Sequence, residues 1–161
     1  MSGFFGCISR RECVSDVFYG TDYHSHLGTK RAGMAFYDGT KFVRSIHSLE
    51  NGYFRNKFED ELPRFGESKM GVGVISDSES QPITITSHLG RYSVVTVSRI
   101  DNIKELTESL LQQRMHFAEL SGSDINATEL VAMLIGMGNS IKEGIEYAQS
   151  QIQGSCSMLV L

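Results

Sequence analysis

Strand-like and helix-like stretches are grouped along this chain instead of alternating, and that ordering narrows the fold more than any other feature. Apolar, β-branched and aromatic runs recur at Gly3 to Ser9, Ala32 to Tyr37, Lys41 to His47, Met70 to Ile75, Ile83 to Thr86 and Tyr92 to Val97. Asp38-Gly39 predicts a hairpin turn between the second and third of these. Val14 to Tyr23 has Val14, Val17 and Phe18 at helical spacing, and Tyr53 to Leu62 predicts a helix ended by Pro63. Helical signals then take over. Asp101 or Asn102 can start a helix striped by Ile103, Leu106, Leu110 and Leu111. Asn126 to Glu129 has a capping-box pattern ahead of Leu130, Met133, Leu134 and Met137, and Ser140 to Glu143 repeats it. That last helix is expected to stop at Gly154, and Met158 to Leu161 is a final apolar strand. Strand groups set apart from helix groups predict an α+β fold with sheets covered by helices.

Composition excludes several function classes. The chain has 161 residues, enough for one domain with a real core. A formal charge of −4 gives no electrostatic footprint for nucleic acid. No apolar run is long enough for a membrane helix, and no basic segment precedes an apolar stretch as in a signal peptide. Cys7, Cys13 and Cys156 are odd in number and lack metal spacing. They read as reduced thiols, so a cytoplasmic location is expected. No cofactor is implied. The last strand runs to the final residue, which suggests that residues 1–161 are the N-terminal portion of a longer protein.

Several residue clusters invite a chemical reading. Asp22, His24 and His26 alternate as metal ligands might, but no fourth ligand is evident, and solvated loop residues account for them better. Arg10-Arg11 and Lys30-Arg31 could bind an anion, though charged surface is the simpler account. Asn126-Ala127-Thr128 matches a glycosylation sequon, which has no meaning in a reducing compartment. Cys7 lies inside the first strand without an α-amine to activate it.

Five stretches, in order, resemble one family. Ser2-Gly3-Phe4-Phe5-Gly6 is similar to the Cys-Gly-Ile-Phe-Gly start of class II glutamine amidotransferases. His26, Gly28 and Ala32-Gly33-Met34-Ala35 resemble the family's His-Arg-Gly…Ala-Gly-Ile-Ala. Met70-Gly71-Val72-Gly73 with Gln81-Pro82 resembles its Gly-Val-Gly…Ala-Gln-Pro segment. Asn102 with Glu105-Leu106, and Thr128-Glu129-Leu130, resemble the starts of two later helices. The resemblance spans essentially the whole chain and is nearest to the glutaminase half of amidophosphoribosyltransferase, an enzyme of purine biosynthesis. It implies an Ntn-hydrolase-like four-layer αββα sandwich of two antiparallel sheets flanked by helices. It also implies that Ser2, exposed by removal of Met1, stands at the nucleophile position with its own α-amine as base. Gly28, Gly73 and Ser98 are then the expected substrate-binding positions, with no metal. A C-terminal phosphoribosyltransferase-like domain or a second copy of the chain is the expected partner.

The pattern also breaks, and the breaks form a set. Serine stands where the family has cysteine and ionises far less readily. The family's His-Arg aligns with Val74 to Ser76, so no guanidinium grips a substrate carboxylate there. Its Asn-Gly oxyanion donors align with Val97-Ser98, a loss of about 3 kcal/mol of transition-state stabilisation. Its amine-binding Asp aligns near Ala127, and Leu27 replaces an Arg. The expectation is a glutaminase domain with a degenerate site, kept as a structural or interaction module. Two alternatives remain: an N-terminal-serine Ntn amidohydrolase using Ser2, and a metabolite-sensing domain using the old pocket. The first strand is expected to be central in its sheet, with Phe4 and Phe5 facing opposite layers, and Gly3 and Gly6 placed where a side chain would meet neighbouring backbone or disturb the strand.

Overall fold

The computed structural model describes residues 2–26, 30–121 and 124–161, with backbone alone at 120 and 121. The first sheet is antiparallel and four-stranded: β1 (Gly3–Ile8), β2 (Arg31–Tyr37), β3 (Phe42–Ser48) and β4 (Met70–Ser76), in the order β1-β4-β2-β3. The second contains β5 (Ile83–Ser87), β6 (Gly90–Ile100) and β9 (Gly154–Val160), also antiparallel, in the order β5-β6-β9. A two-residue pairing of β7 (Leu120–Ser121) with β8 (Asp124–Ile125) was not foreseen from the sequence.

Side-chain alternation sorts three apolar layers. One face of the first sheet buries Met34, Phe36 and Ile75 against α1 (Val14–Tyr23) and α2 (Phe54–Phe58). One face of the second buries Val94 and Tyr92 against α4 (Ala127–Ile135), with α3 (Ile103–Gln112) and α5 (Ile141–Gln151) completing that side. Between the sheets lies a thin layer of small residues, Ala35, Val72, Val74 and Val95, with Phe4 and Leu159 packed on it. The architecture is α+β with helix-covered sheets, as the element order suggested, and it is the αββα sandwich that the resemblance implied.

Local signals set most boundaries. Asn126 accepts hydrogen bonds from Thr128 N at 3.0 Å and Glu129 N at 3.2 Å, and Ser140 accepts one from Glu143 N at 3.2 Å, as the capping patterns predict. Four expectations need correction. Pro63 does not end the second helix, because the chain tightens at Glu59 into a 3-10 helix that runs to Phe65 and contains Pro63. Met137 lies beyond the end of α4 and is 39% exposed. Gly154, at φ +123°, opens β9 instead of closing α5.

The fourth correction concerns β1, which is an edge strand paired only with β4. Its side chains do alternate between layers. Phe4 packs into the intersheet layer, while Phe5 lies where a Cβ on Gly20 of α1 would fall. A Cβ on Gly3 would meet the His24 ring at 2.8 Å, and one on Gly6 would meet Leu159 Cδ1 at 2.8 Å, so the neighbours are side chains and not backbone. Phe4 and Phe5 are half-buried on this edge. Truncating either to alanine is therefore expected to cost about 2 kcal/mol, below the roughly 3–5 kcal/mol of a fully enclosed Phe. Urea melts of the two variants check this, and a cost above about 4 kcal/mol would show that the edge is covered in solution.

Candidate functional site

β4 leaves the first sheet at Ser76 and the chain crosses to the second sheet at Ile83. The intervening residues, together with the start of β1 and the middle of β6, line a small, partly open cavity of about 50 Å³. Its walls include Ser2, Glu79, Gln81, Thr96 and Ser98. Ser2 arrives there because it precedes Gly3, which is paired with Ile75, and its Oγ accepts a 3.4 Å hydrogen bond from Asp77 N.

The crossing is tightly held. Ser76 Oγ accepts from Glu79 N at 3.0 Å and from Ser78 N at 3.3 Å, which folds the turn back on itself. The Gln81 amide binds the backbone of Thr96 twice, donating from Nε2 to the carbonyl at 3.0 Å and accepting from N–H at 2.8 Å. Gln81 is 4% exposed, so this amide pair acts as a buried rung joining the crossing to β6. The Gln81–Pro82 peptide is cis.

Glu79 occupies the most informative position. Its carboxylate accepts hydrogen bonds from Ala127 N at 3.2 Å, Thr128 N at 3.1 Å and Thr128 Oγ1 at 2.8 Å. Ala127 N and Thr128 N are first-turn amides of α4 with no acceptor within the helix, Thr128 N being shared with Asn126 Oδ1, and the helix dipole there favours negative charge. Asn126 Nδ2 reaches back to Ser80 O at 2.9 Å, so helix and crossing clasp each other. Thr128 Oγ1 lies 2.6 Å from Thr96 Oγ1. The Cys156 thiol is pushed up to about 11, first by burial and then by the charge of Glu79, so it is not a thiolate near neutral pH.

The structure brings Ser2 and Ser98 to one cavity. Gly73 sits elsewhere: a Cβ there would fall 1.9 Å from Thr21 Oγ1, so this glycine lets α1 lie close against the first sheet. Gly28 lies outside the described residues. Asp22 pairs with Arg55 at 2.7 Å, and no group of metal-ligating side chains occurs among the described residues. Two residues of the site region escaped the sequence reading. Glu79 has no motif, and its significance comes from contacts with residues 48 and 49 positions away. Arg31, read as surface charge, donates from Nη1 to Ser80 Oγ at 2.7 Å.

No family model and no curated protein matches this sequence. Solved structures do match. The glutamine phosphoribosylpyrophosphate (PRPP) amidotransferase from B. subtilis, complexed with ADP and GMP, superimposes with a TM-score of 0.84 over 100% of this chain, at 21% identity. A second structure, described as the allosteric regulatory enzyme of purine biosynthesis, gives the same TM-score of 0.84, the same 21% identity and 100% coverage. The chain spans 35% of the length of each. At that level of identity the likeness is one of fold, and the fold of this chain is that of the glutamine amidotransferase domain found in PRPP amidotransferase.

Proposed function

We propose that this chain is an amidophosphoribosyltransferase-related glutaminase-fold domain that no longer hydrolyses glutamine and serves as a structural or interaction module. The observation that carries this reading is the size and filling of the cavity beside Ser2. The pocket beside Ser2 is small and partly open, with about 50 Å³ of space against the roughly 300–1,000 Å³ usual for small-molecule sites, so it offers little enclosure for a glutamine. The donors at the start of α4, which could meet a substrate, already hold Glu79. Among the described residues, no guanidinium lines the cavity to receive a carboxylate. A metabolite-sensing role for the same pocket meets the same limit of volume. The serine amidohydrolase reading has one observation in its favour, the presence of Ser2 in the cavity wall.

The two structural relatives extend well beyond the part this chain matches. A phosphoribosyltransferase-like domain or a second copy of the chain is the proposed partner, in a cytoplasmic setting linked to purine synthesis. The test of activity is direct. Incubation with millimolar glutamine is expected to release no more ammonia than a heat-denatured control, and Ser2→Ala is expected to change nothing. Intact mass establishes whether Met1 has been removed, without which the α-amine mechanism is closed. Turnover that disappears in Ser2→Ala would overturn the reading in favour of the serine hydrolase.

A further inference from the structure

At the end of the sandwich remote from Ser2, open pockets lie between residues of the two sheets. Inner faces of stacked sheets are ordinarily apolar and interdigitated. Here Ile83 and Ile85 pack toward the helices, so the alternate positions Thr84 and Thr86 face the first sheet. Thr84 Oγ1 hydrogen-bonds Ser93 Oγ at 3.2 Å, and Arg91 Nε donates to Thr86 Oγ1 at 3.1 Å, which makes this inner surface polar. Opposite it, β3 contributes Phe42 and Arg44. The result is a wedge made of two solvent-open pockets of about 590 and 320 Å³ that share Phe42, Thr86 and Arg91 as walls, the larger also bordered by Met70 and Leu161.

The charges in this wedge are unequal. Arg91 and Lys41 form no salt bridge among the described residues, so the Nη groups of Arg91 donate to no carboxylate there. Arg44 is already engaged, with Nη2 on Glu119 at 3.2 Å and Nη1 on Pro82 O at 3.1 Å. Asp38 is the other nearby carboxylate; its oxygen is held by Thr40 N at 2.8 Å and Lys41 N at 2.9 Å. Tyr37 and Phe42 form an aromatic pair with centroids 5.0 Å apart on the same wall. The wedge thus combines a guanidinium held at Nε by Thr86 with no carboxylate on its Nη groups among the described residues, an ammonium, threonine hydroxyls and a ring face.

We propose that this wedge binds a small phosphomonoester. The Nη groups of Arg91 match two phosphate oxygens at once, Lys41 adds a point charge, and Thr86, whose Oγ1 accepts from Arg91 Nε, can donate its own proton to a third oxygen. The aromatic pair receives the apolar part of the ligand. The volume lies in the range of small-molecule sites. Nothing in this assignment depends on the chemistry at Ser2.

Phenyl phosphate is a suitable probe, with phenol and sodium chloride of matched ionic strength as controls, read by amide chemical shifts in the intact chain. Saturable shifts at Thr84, Thr86 and Arg91 are expected with phenyl phosphate alone. Arg91→Gln is expected to weaken the dissociation constant at least tenfold and Arg91→Lys by less, with thermal melts unchanged because the side chain is exposed. Equal shifts from chloride would reduce the wedge to a screened charge patch, and equal shifts from phenol would reduce it to an apolar gap. Unaltered affinity in Arg91→Gln would equally overturn the proposal.

Discussion

Replacing Gly33 with alanine is expected to destabilise the protein by about 3 kcal/mol or more, a value at the upper end for overpacking. A Cβ at this position would fall 1.9 Å from Gln81 O and 2.7 Å from Pro82 Cδ. The first contact is with backbone, which cannot rotate away as a side chain can. Relief requires the crossing to lift off β2, and that movement strains the paired hydrogen bonds between Gln81 and Thr96. In a chain of this size such a loss lowers the melting temperature by about 6–12 °C. Urea and thermal melts measure it. A cost below about 1 kcal/mol would mean that the crossing lies farther from β2 in solution.

Asn126→Ala is expected to cost about 2–5 kcal/mol, from two separate losses. The side-chain oxygen caps α4 through Thr128 N and Glu129 N, which is worth about 1–2 kcal/mol. The amide nitrogen satisfies Ser80 O, and orphaning a part-buried carbonyl costs roughly 1–3 kcal/mol. Asn126 is 0% exposed, so water does not simply replace it. Asn126→Ser keeps a capping oxygen but cannot reach Ser80. It is expected to recover about 1 kcal/mol relative to alanine. Equal damage from serine and alanine would assign the whole effect to the link with Ser80.

The parts of this architecture that were legible in the sequence depend on neighbours within a few residues. The hairpin at Asp38-Gly39, the caps at Asn126 and Ser140, and the strand alternation that sends Phe4 and Phe5 to opposite layers all follow from local rules. Pro63 was misread because a proline is compatible with a 3-10 turn as well as with a helix end. The edge position of β1 was not legible, since strand order is decided by pairings between residues far apart in sequence. Ser2 was found through resemblance. Glu79 and Arg31 were not, because their roles arise only when the crossing, α4 and β2 meet. The wedge was hidden for a related reason: threonine at alternate positions of β5 looks like ordinary strand sequence until the opposite sheet is seen to leave it uncovered.

The arrangement of the crossing has a mechanical consequence. The sheets are stitched at one end, where Gln81 is fastened to β6, Ser80 and Glu79 to α4, and the backbone lies on Gly33. At the other end they diverge around Arg91 and Phe42. A body joined in this way behaves like a clothes-peg: the fastened end is the spring, and relative rotation of the sheets is a small angle there and a large displacement at the jaws. A force or a partner acting on the free edges of β3 and β5 would therefore alter the width of the jaws while scarcely moving Ser2. Conversely, an event that loosened the stitching would be felt most strongly at the distance of a full strand.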